Sequence, residues 1–338
     1  MKIALFTPYD IAFPGGVNKH VFKLKENFER MGHDVEVIGP SSVPEARLNI
    51  PGVHTVSGAV PIAKGSGGSV ARIGISPFII PKVKLILDRG NFDVVHFHEP
   101  FCPAVPTYGL MISNYVNVAT FHALHEKHKG YILFHPVFRP LFHKLRKKIA
   151  VSRAALKFVS YYFPGEYEII PNGVDYEFFS RDVEPLRNFR DGKLNILFVG
   201  RLERRKGLRT LIGAFERVKS NFEDVRLIIV GPDGGLKEEL EEKVSRCRIR
   251  DVEFVGYVSD EELLKYYKTC DIFCSPAEGR ESFGIVLLEA MASGKPVVAT
   301  NIGGYKEVME DGGKEGRAEV RVKGKELEVE IDGRGLVY

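Results

Sequence analysis

Short apolar runs separated by longer amphipathic stretches recur along this chain, and few architectures accept that rhythm. Ile3–Phe6 reads as a buried strand, and Val17, His20, Val21, Leu24 and Phe28 follow it at helical spacing. Val35–Ile38, Val94–Phe97 and Val118–Phe121 read as further strands. The rhythm fades over residues 172–192, where Pro185, Gly192 and many charges cluster. It restarts with Ile196–Val199, Leu227–Val230, Val252–Val255, Ile272–Cys274 and Val297–Ala299. Helices are expected at Leu208–Lys219 and Leu236–Arg246, and Ser259 with Glu262 forms a capping box that opens Glu261–Lys268. Strands alternating with helices build parallel sheets covered on both faces. The chain is therefore expected to be α/β, with two Rossmann-like, doubly wound parallel-sheet domains facing a cleft. Residues 1–180 form the first domain and residues 181–312 the second. Residues 313–338 read differently. Ala318, Val320 and Val322 alternate with charges, as do Leu327, Val329 and Ile331, with Lys323-Gly324-Lys325 between them, which is a β-hairpin pattern.

A chain of 338 residues can supply two cores. Its net charge of +4 is mild, but the charge is unevenly spread. No Asp or Glu occurs from Lys127 to Gly165, whereas Lys129, Arg139, Lys144, Arg146, Lys147, Lys148, Arg153 and Lys157 all do. Such a stretch, taken as residues 127–157, attracts phosphate, an anionic membrane surface or nucleic acid, or is simply a solvated face. The four cysteines form no C-x-x-C pair, which points to a reduced, cytoplasmic protein. No apolar run approaches the ~20 residues that span a bilayer, so membrane contact is expected to be peripheral, on the inner face.

Ligands of doubly wound sheets bind beyond the carboxyl ends of the strands, so the residues there are the candidates for chemistry. Pro14-Gly15-Gly16 lies between the first strand and the first helix, where a bare backbone and a helix N-terminus suit a phosphate. It is not G-x-G-x-x-G, and no acidic residue follows the second strand to hold a ribose, which argues against a nicotinamide dinucleotide. Arg201 and Lys206, in Gly200-Arg201-x4-Lys206-Gly207, follow the strand Ile196–Val199 and can clamp a diphosphate. Glu281 ends a loop and Glu289 is expected about two turns inside the helix after it. Backbone N–H groups around Ser282, Phe283, Gly284 and Ile285 can take phosphate oxygens. Carboxylates do not bind phosphate, so the two glutamates are matched to sugar and ribose hydroxyls. Glu289 interrupts an apolar run and needs a partner. All ten histidines precede residue 144, without a dedicated metal pattern. His122 is expected to face the ligand alone, the other histidines being structural or superficial, with no metal.

At these residues the sequence resembles glycosyltransferase family 4, of the GT-B fold. The resemblance rests on PGGVNKHV, VVHFHEP, ATFH, IIPNGVD, FVGRLERRKG, LIIVG, FVGYVSDEEL and ESFGIVLLEAMASGKPVVAT, in the family's order across residues 1–310. Locally, PYDIAFPGGVNKHV, DVVHFHEPFCPAVP and ESFGIVLLEAM look most like the bacterial phosphatidylinositol mannosyltransferases. The resemblance implies a retaining transfer of a hexose from a nucleotide-sugar, GDP-mannose, to a lipid-linked polyol such as phosphatidylinositol. It implies no structural metal ion, and no cofactor and no nucleic-acid partner are expected. Carried over, Gly16 approaches the donor phosphates, Arg201 and Lys206 bind the diphosphate, Glu281 holds sugar hydroxyls and Glu289 the ribose. His122 is then catalytic with Glu281, and Tyr9, Asn18 and Arg72 meet the polyol-phosphate. The basic stretch and the helix near Lys82–Arg89 then rest on an anionic membrane. The tail after Asp311 departs from the family and reads as atypical or truncated. A hexosyltransferase with a glycan or small acceptor, and a lipid- or partner-binding remnant, are the competing readings.

Overall fold

The computed structural model describes residues 1–13, 15–64, 69–74, 76, 78–102, 104–124, 129–311, 318–323 and 326–331. Its strands are β1 Lys2–Phe6, β2 Asp34–Pro40, β3 Val53–Ser57, β4 Val60–Lys64, β5 Ser69–Ile73, β6 Val94–His98, β7 Val116–Phe121, β8 Leu145–Ala150, β9 Glu168–Ile169, β10 Leu194–Val199, β11 Val225–Val230, β12 Val252–Gly256, β13 Ile272–Ser275, β14 Val297–Ala299, β15 Ala318–Lys323 and β16 Glu326–Ile331. The helices are α1 Gly16–Arg30, α2 Glu45–Leu48, α3 Ile79–Gly90, α4 Val105–Ile112, α5 Lys129–Leu133, α6 His135–His143, α7 Arg153–Tyr162, α8 Tyr176–Ser180, α9 Leu208–Asn221, α10 Lys237–Arg246, α11 Asp260–Thr269, α12 Ile285–Ala292 and α13 Gly303–Asp311.

In the first unit, seven parallel strands run in the order β3-β2-β1-β6-β7-β8-β9. Successive residues of a strand point to opposite faces, and in β1 both faces are covered. Ile3 and Leu5 pack with Val21 of α1, whereas Ala4 and Phe6 pack with Phe97, Phe101 and Val105 on the other side. That two-sided burial is why the strand sequences are apolar without alternation. The strand order reverses between β1 and β6, so the loops after these two strands flank the switch point.

The second unit has five parallel strands in the order β12-β11-β10-β13-β14, reversing between β10 and β13. Leu208, Leu211, Ile212 and Phe215 form the apolar stripe of α9, packed with Leu227 and Ile229 of β11. Ser259 and Glu262 complete the expected capping box at the start of α11. The tail strands β15 and β16 pair antiparallel from Ala318↔Ile331 to Lys323↔Glu326. Their turn residues Gly324 and Lys325, and residues 332–338, lie outside the described residues.

Contacts divide the chain between Asn172 and Gly173, ahead of the boundary expected at residues 180/181. The intervening α8 belongs to the second unit because Phe179 meets Tyr267 at 5.8 Å and Lys268 donates to the Ser180 carbonyl at 3.4 Å. Just beyond it, Arg181 grips both carboxylate oxygens of Glu261 at 3.0 Å. The described residues of the basic stretch 127–157 fall on α5, α6, β8 and the start of α7. Arg146, Lys147 and Lys148 lie in β8, where Lys147 and Lys148 pair with Val118 and Ala119 of β7. Among the described residues, no helix is long and apolar enough to cross a membrane.

Candidate active site

At the carboxyl end of β10, Gly200 and Arg201 lead into a 3-10 turn, Arg204–Lys206. Gly207 closes the turn at φ +71°, and a Cβ there would stand 1.8 Å from the Pro276 carbonyl oxygen. Only glycine lets the turn press against the loop after β13. The result is a group of charges drawn from two strand ends. Glu281 Oε1 accepts from Lys206 Nζ at 2.6 Å and from Arg205 Nη1. The buried Glu203 accepts from Arg205 Nε at 2.9 Å and lies 3.5 Å from Arg201 Nε. Burial works against a charged Glu281, but Lys206 and Arg205 outweigh it and hold the carboxyl below its usual range. Burial likewise opposes the Arg205 charge, and Glu281 with Glu203 overcomes it and raises that guanidinium's pKa.

The helix after Glu281 opens without a side-chain cap. Gly284 is its N-cap at φ +94°, and a Cβ there would lie 2.6 Å from the Tyr305 ring. That ring is held by a 2.8 Å hydrogen bond between its hydroxyl and Ser275 Oγ. Ser282, Phe283, Gly284 and Ile285 therefore lead into a helix start whose first N–H groups have no intrahelical acceptor. Because α12 begins at Ile285, Glu289 sits one turn in, not two. It is buried, and Oε2 accepts from the equally buried Tyr267 hydroxyl at 3.0 Å.

In the first unit, the loop after β1 gathers three candidates. Tyr9 bridges to Ile73, Asp10 N–H donates to the Arg72 carbonyl at 2.9 Å, and the Arg72 guanidinium lies 4.6 Å from the Phe13 ring centroid. Asn18, buried in the first turn of α1, faces the same loop, but its amide bonds inward. Its oxygen accepts from Thr7 Oγ1 at 2.8 Å, and its nitrogen donates to the Asp10 and Phe13 carbonyls at 2.6 and 3.3 Å. Gly16 is the first residue of α1, and a Cβ added to it would meet nothing within 4 Å. Packing does not demand a glycine there. Pro14 lies outside the described residues.

His122 follows β7 and is not alone. Its Nε2 and His98 Nδ1 are 2.9 Å apart, and the His20 ring on α1 meets the His122 and His98 rings edge-on at 5.1 and 5.4 Å. The Glu99 carboxylate accepts from the His122 N–H and, at 2.6 Å, from the Ala123 N–H, fixing the start of the loop. Burial, reinforced by the neighbouring imidazoles, pushes His122 and His98 well below their usual 6.5, and burial takes His20 down to about 4. His122 is therefore neutral at physiological pH. His96 stacks on the His98 ring at 4.4 Å and hydrogen-bonds Thr120 Oγ1 at 2.7 Å. His125 and His128 lie outside the described residues.

The model of glycosyltransferase family 4 matches residues 14–178, and that of glycosyl transferases group 1 matches residues 182–325. The chain is 38% identical over 313 residues to phosphatidyl-myo-inositol mannosyltransferase of Mycobacterium tuberculosis, covering 92% of this chain and 81% of that one. This chain is a family 4 glycosyltransferase. It is also 25% identical to alpha-monoglucosyldiacylglycerol synthase of Acholeplasma laidlawii, over 92% of this chain and 83% of that one. Anabaena HepE, solved with UDP and glucose, superposes with a TM-score of 0.71 at 21% identity, covering 91% of this chain and 83% of that one, and shares the GT-B fold.

The glycosyltransferase brings Arg201, Lys206 and Glu281 together as one charge group, and it adds residues that motif spacing did not single out. Arg205 carries the second ion pair to Glu281, and Glu203 ties Arg205 to Arg201. Tyr267 supplies the partner that Glu289 was expected to need, and His98 and His20 accompany His122.

Proposed function

We propose that this glycosyltransferase moves mannose from GDP-mannose to phosphatidylinositol, with retention at the anomeric carbon. The observation that carries the donor half is the convergence of Lys206 and Arg205 on Glu281, beside the uncapped start of α12. A diphosphate is the ligand this arrangement suits, since two cations and unpaired N–H groups can take up its charge. Glu281 then turns to sugar hydroxyls, and Glu289, steadied by Tyr267, to the ribose. As the anomeric C–O bond breaks, negative charge grows on the leaving diphosphate, and Arg201, Arg205, Lys206 and the helix N-terminus stabilise it. Glu281 is engaged by two cations, which blunts it as a nucleophile. A front-face path through an oxocarbenium-like state fits better, with the acceptor oxygen entering on the side the diphosphate leaves. Neutral His122 serves as a hydrogen-bond partner for the reacting sugar, its ring steadied by His98.

For the acceptor, Tyr9 and Arg72 meet the polyol-phosphate, and Asn18 braces the loop that carries Tyr9, which bridges to β5 beside Arg72. Membrane contact is read from apolar side chains exposed among the cations. Ile132, Leu133, Phe134 and Val137 are exposed on and between α5 and α6, near Lys129 and Arg139. Phe78, Ile80 and Leu85 are exposed at α3, with Lys82, Lys84 and Arg89. Apolar tips flanked by cations suit an anionic interface.

A nucleotide-release screen with GDP- and UDP-sugars, with and without phosphatidylinositol vesicles, tests the reading. GDP release from GDP-mannose that rises when the vesicles are added is the expected result. Equal or greater release from a UDP-sugar, or indifference to the vesicles, overturns the assigned donor or acceptor respectively.

A further inference from the structure

Three histidines of the first unit lie together in a way the transfer reaction does not require. His20 comes from the second turn of α1, His98 from the last residue of β6, and His122 from the residue after β7. Their ring centroids form a nearly equilateral triangle, 5.1, 5.2 and 5.4 Å on its sides. One nitrogen from each ring can be chosen so that all three lie within 4.8 Å of one another. The His98 and His122 rings are inclined by only 26°, with nitrogens facing at 2.9 Å, and His20 stands at about 70° to both.

One hydrogen bond between His98 and His122 accounts for two of these nitrogens and leaves the rest unexplained. His98 is fully buried, and its Nε2 has no hydrogen-bond partner. His20 is brought against both other rings without a hydrogen bond to either among the described residues. A buried polar atom left bare is unfavourable, so a second occupant of the cluster has something to gain. We propose that His20, His98 and His122 form a binding site for a first-row transition-metal dication such as Zn2+ or Co2+.

The geometry suits such an ion. Metal–nitrogen bonds of about 2.0–2.1 Å in a tetrahedral set space the ligand nitrogens about 3.4 Å apart. The observed spread closes to that value by side-chain rotations of roughly an ångström. Neutral imidazoles are the ligands zinc, copper, nickel and cobalt favour, and hard oxygen-seeking cations such as Mg2+ do not. Three ligands leave one coordination position for water. Occupancy would withdraw His122 from the role proposed for it in transfer, so the ion is inhibitory. That consequence rests on the proposed function, whereas the binding itself does not.

The test is a Co2+ titration of the chelator-stripped, full-length chain, read in the visible ligand-field bands and independent of any activity. One equivalent with intense bands of low coordination number is expected. His20→Asn and His98→Asn should each weaken binding at least tenfold, and His54→Asn, which alters a half-buried histidine outside the cluster that pairs with Glu36, should leave it unchanged. Thermal melts separate lost ligands from lost folding. Without metal the two site variants are expected to melt near the wild type, and Zn2+ should raise the melting temperature of the wild type only. His20→Asn is the decisive variant because His20 is only partly buried. No ligand-field band in the wild-type chain, or a less than tenfold loss in a folded His20→Asn protein, overturns the site.

Discussion

Glu281 holds two cations in place before any donor arrives, and this sets the order of effects expected at single residues. Lys206→Ala and Glu281→Ala should each lower donor turnover by about a hundredfold or more, the size of effect seen when one preorganised group is lost from a transition-state site. Steady-state rates with intact circular dichroism check it. The ion group also contributes a pH dependence of stability. The folded pKa of Glu281 is lowered, so its contribution is fully present above the ordinary value near 4.5 and is lost as pH falls through the lower folded value. The histidines act at higher pH. Because their folded pKa values are also lowered, the unfolded chain binds protons that the folded chain refuses. Stability is full above about pH 6.5 and falls below it, by about 1.4 kcal/mol for each such histidine between pH 7.5 and 5.5. Urea unfolding of the first unit at the two pH values measures this, and an unchanged midpoint contradicts it. Gly16→Val separates packing from function at one position. No atom crowds a Cβ there, so normal stability with a raised donor KM is expected, measured by thermal melt and steady-state kinetics. At this scale the grouping of Arg201, Lys206 and Glu281 was legible because each lies in a loop that follows a strand. The sequence hid Arg205, since Arg204, Arg205 and Lys206 are consecutive cations and only the turn decides which ones reach Glu281. It hid the histidine cluster because residues 20, 98 and 122 share no spacing and meet only once β1, β6 and β7 are adjacent in the sheet.

Among the elements, α12 and α11 give opposite expectations. Gly284→Ala forces a side chain into positive φ and against the Tyr305 ring, so both stability and donor affinity should fall, the first by more than 1 kcal/mol. Ser259→Ala removes the capping box of α11, two turns from Tyr267, and should cost about 1 kcal/mol with unchanged kinetics. Chemical denaturation and donor titration distinguish the two. The central strands were legible because two-sided burial makes their sequences uniformly apolar. The strand β8 was not, since Leu145-Arg146-Lys147-Lys148-Ile149-Ala150 is apolar only at its ends. Its cations hid a strand whose pairing is set by neighbours, a case of tertiary context overriding local pattern.

The whole molecule consists of two doubly wound units, and each has its candidate residues where its own strand order reverses. The sequence predicted that placement, because βα alternation fixes where loops emerge. The sequence places a boundary at 180/181, whereas contacts part the units at 172/173 because α8, which carries no local signal of its partner, packs on the second unit. At this scale the membrane reading makes its own prediction. Leu133→Asp should reduce co-sedimentation with anionic vesicles about tenfold while leaving the rate with soluble donor alone unchanged, the cost of placing a carboxylate where an apolar tip is exposed. The central claim concerns the donor, and transfer of labelled mannose from GDP-mannose to phosphatidylinositol vesicles tests it most directly. Wild-type chain should yield a labelled lipid, and Lys206→Ala should abolish it without unfolding the protein. Equal labelling by a folded Lys206→Ala variant would contradict the account.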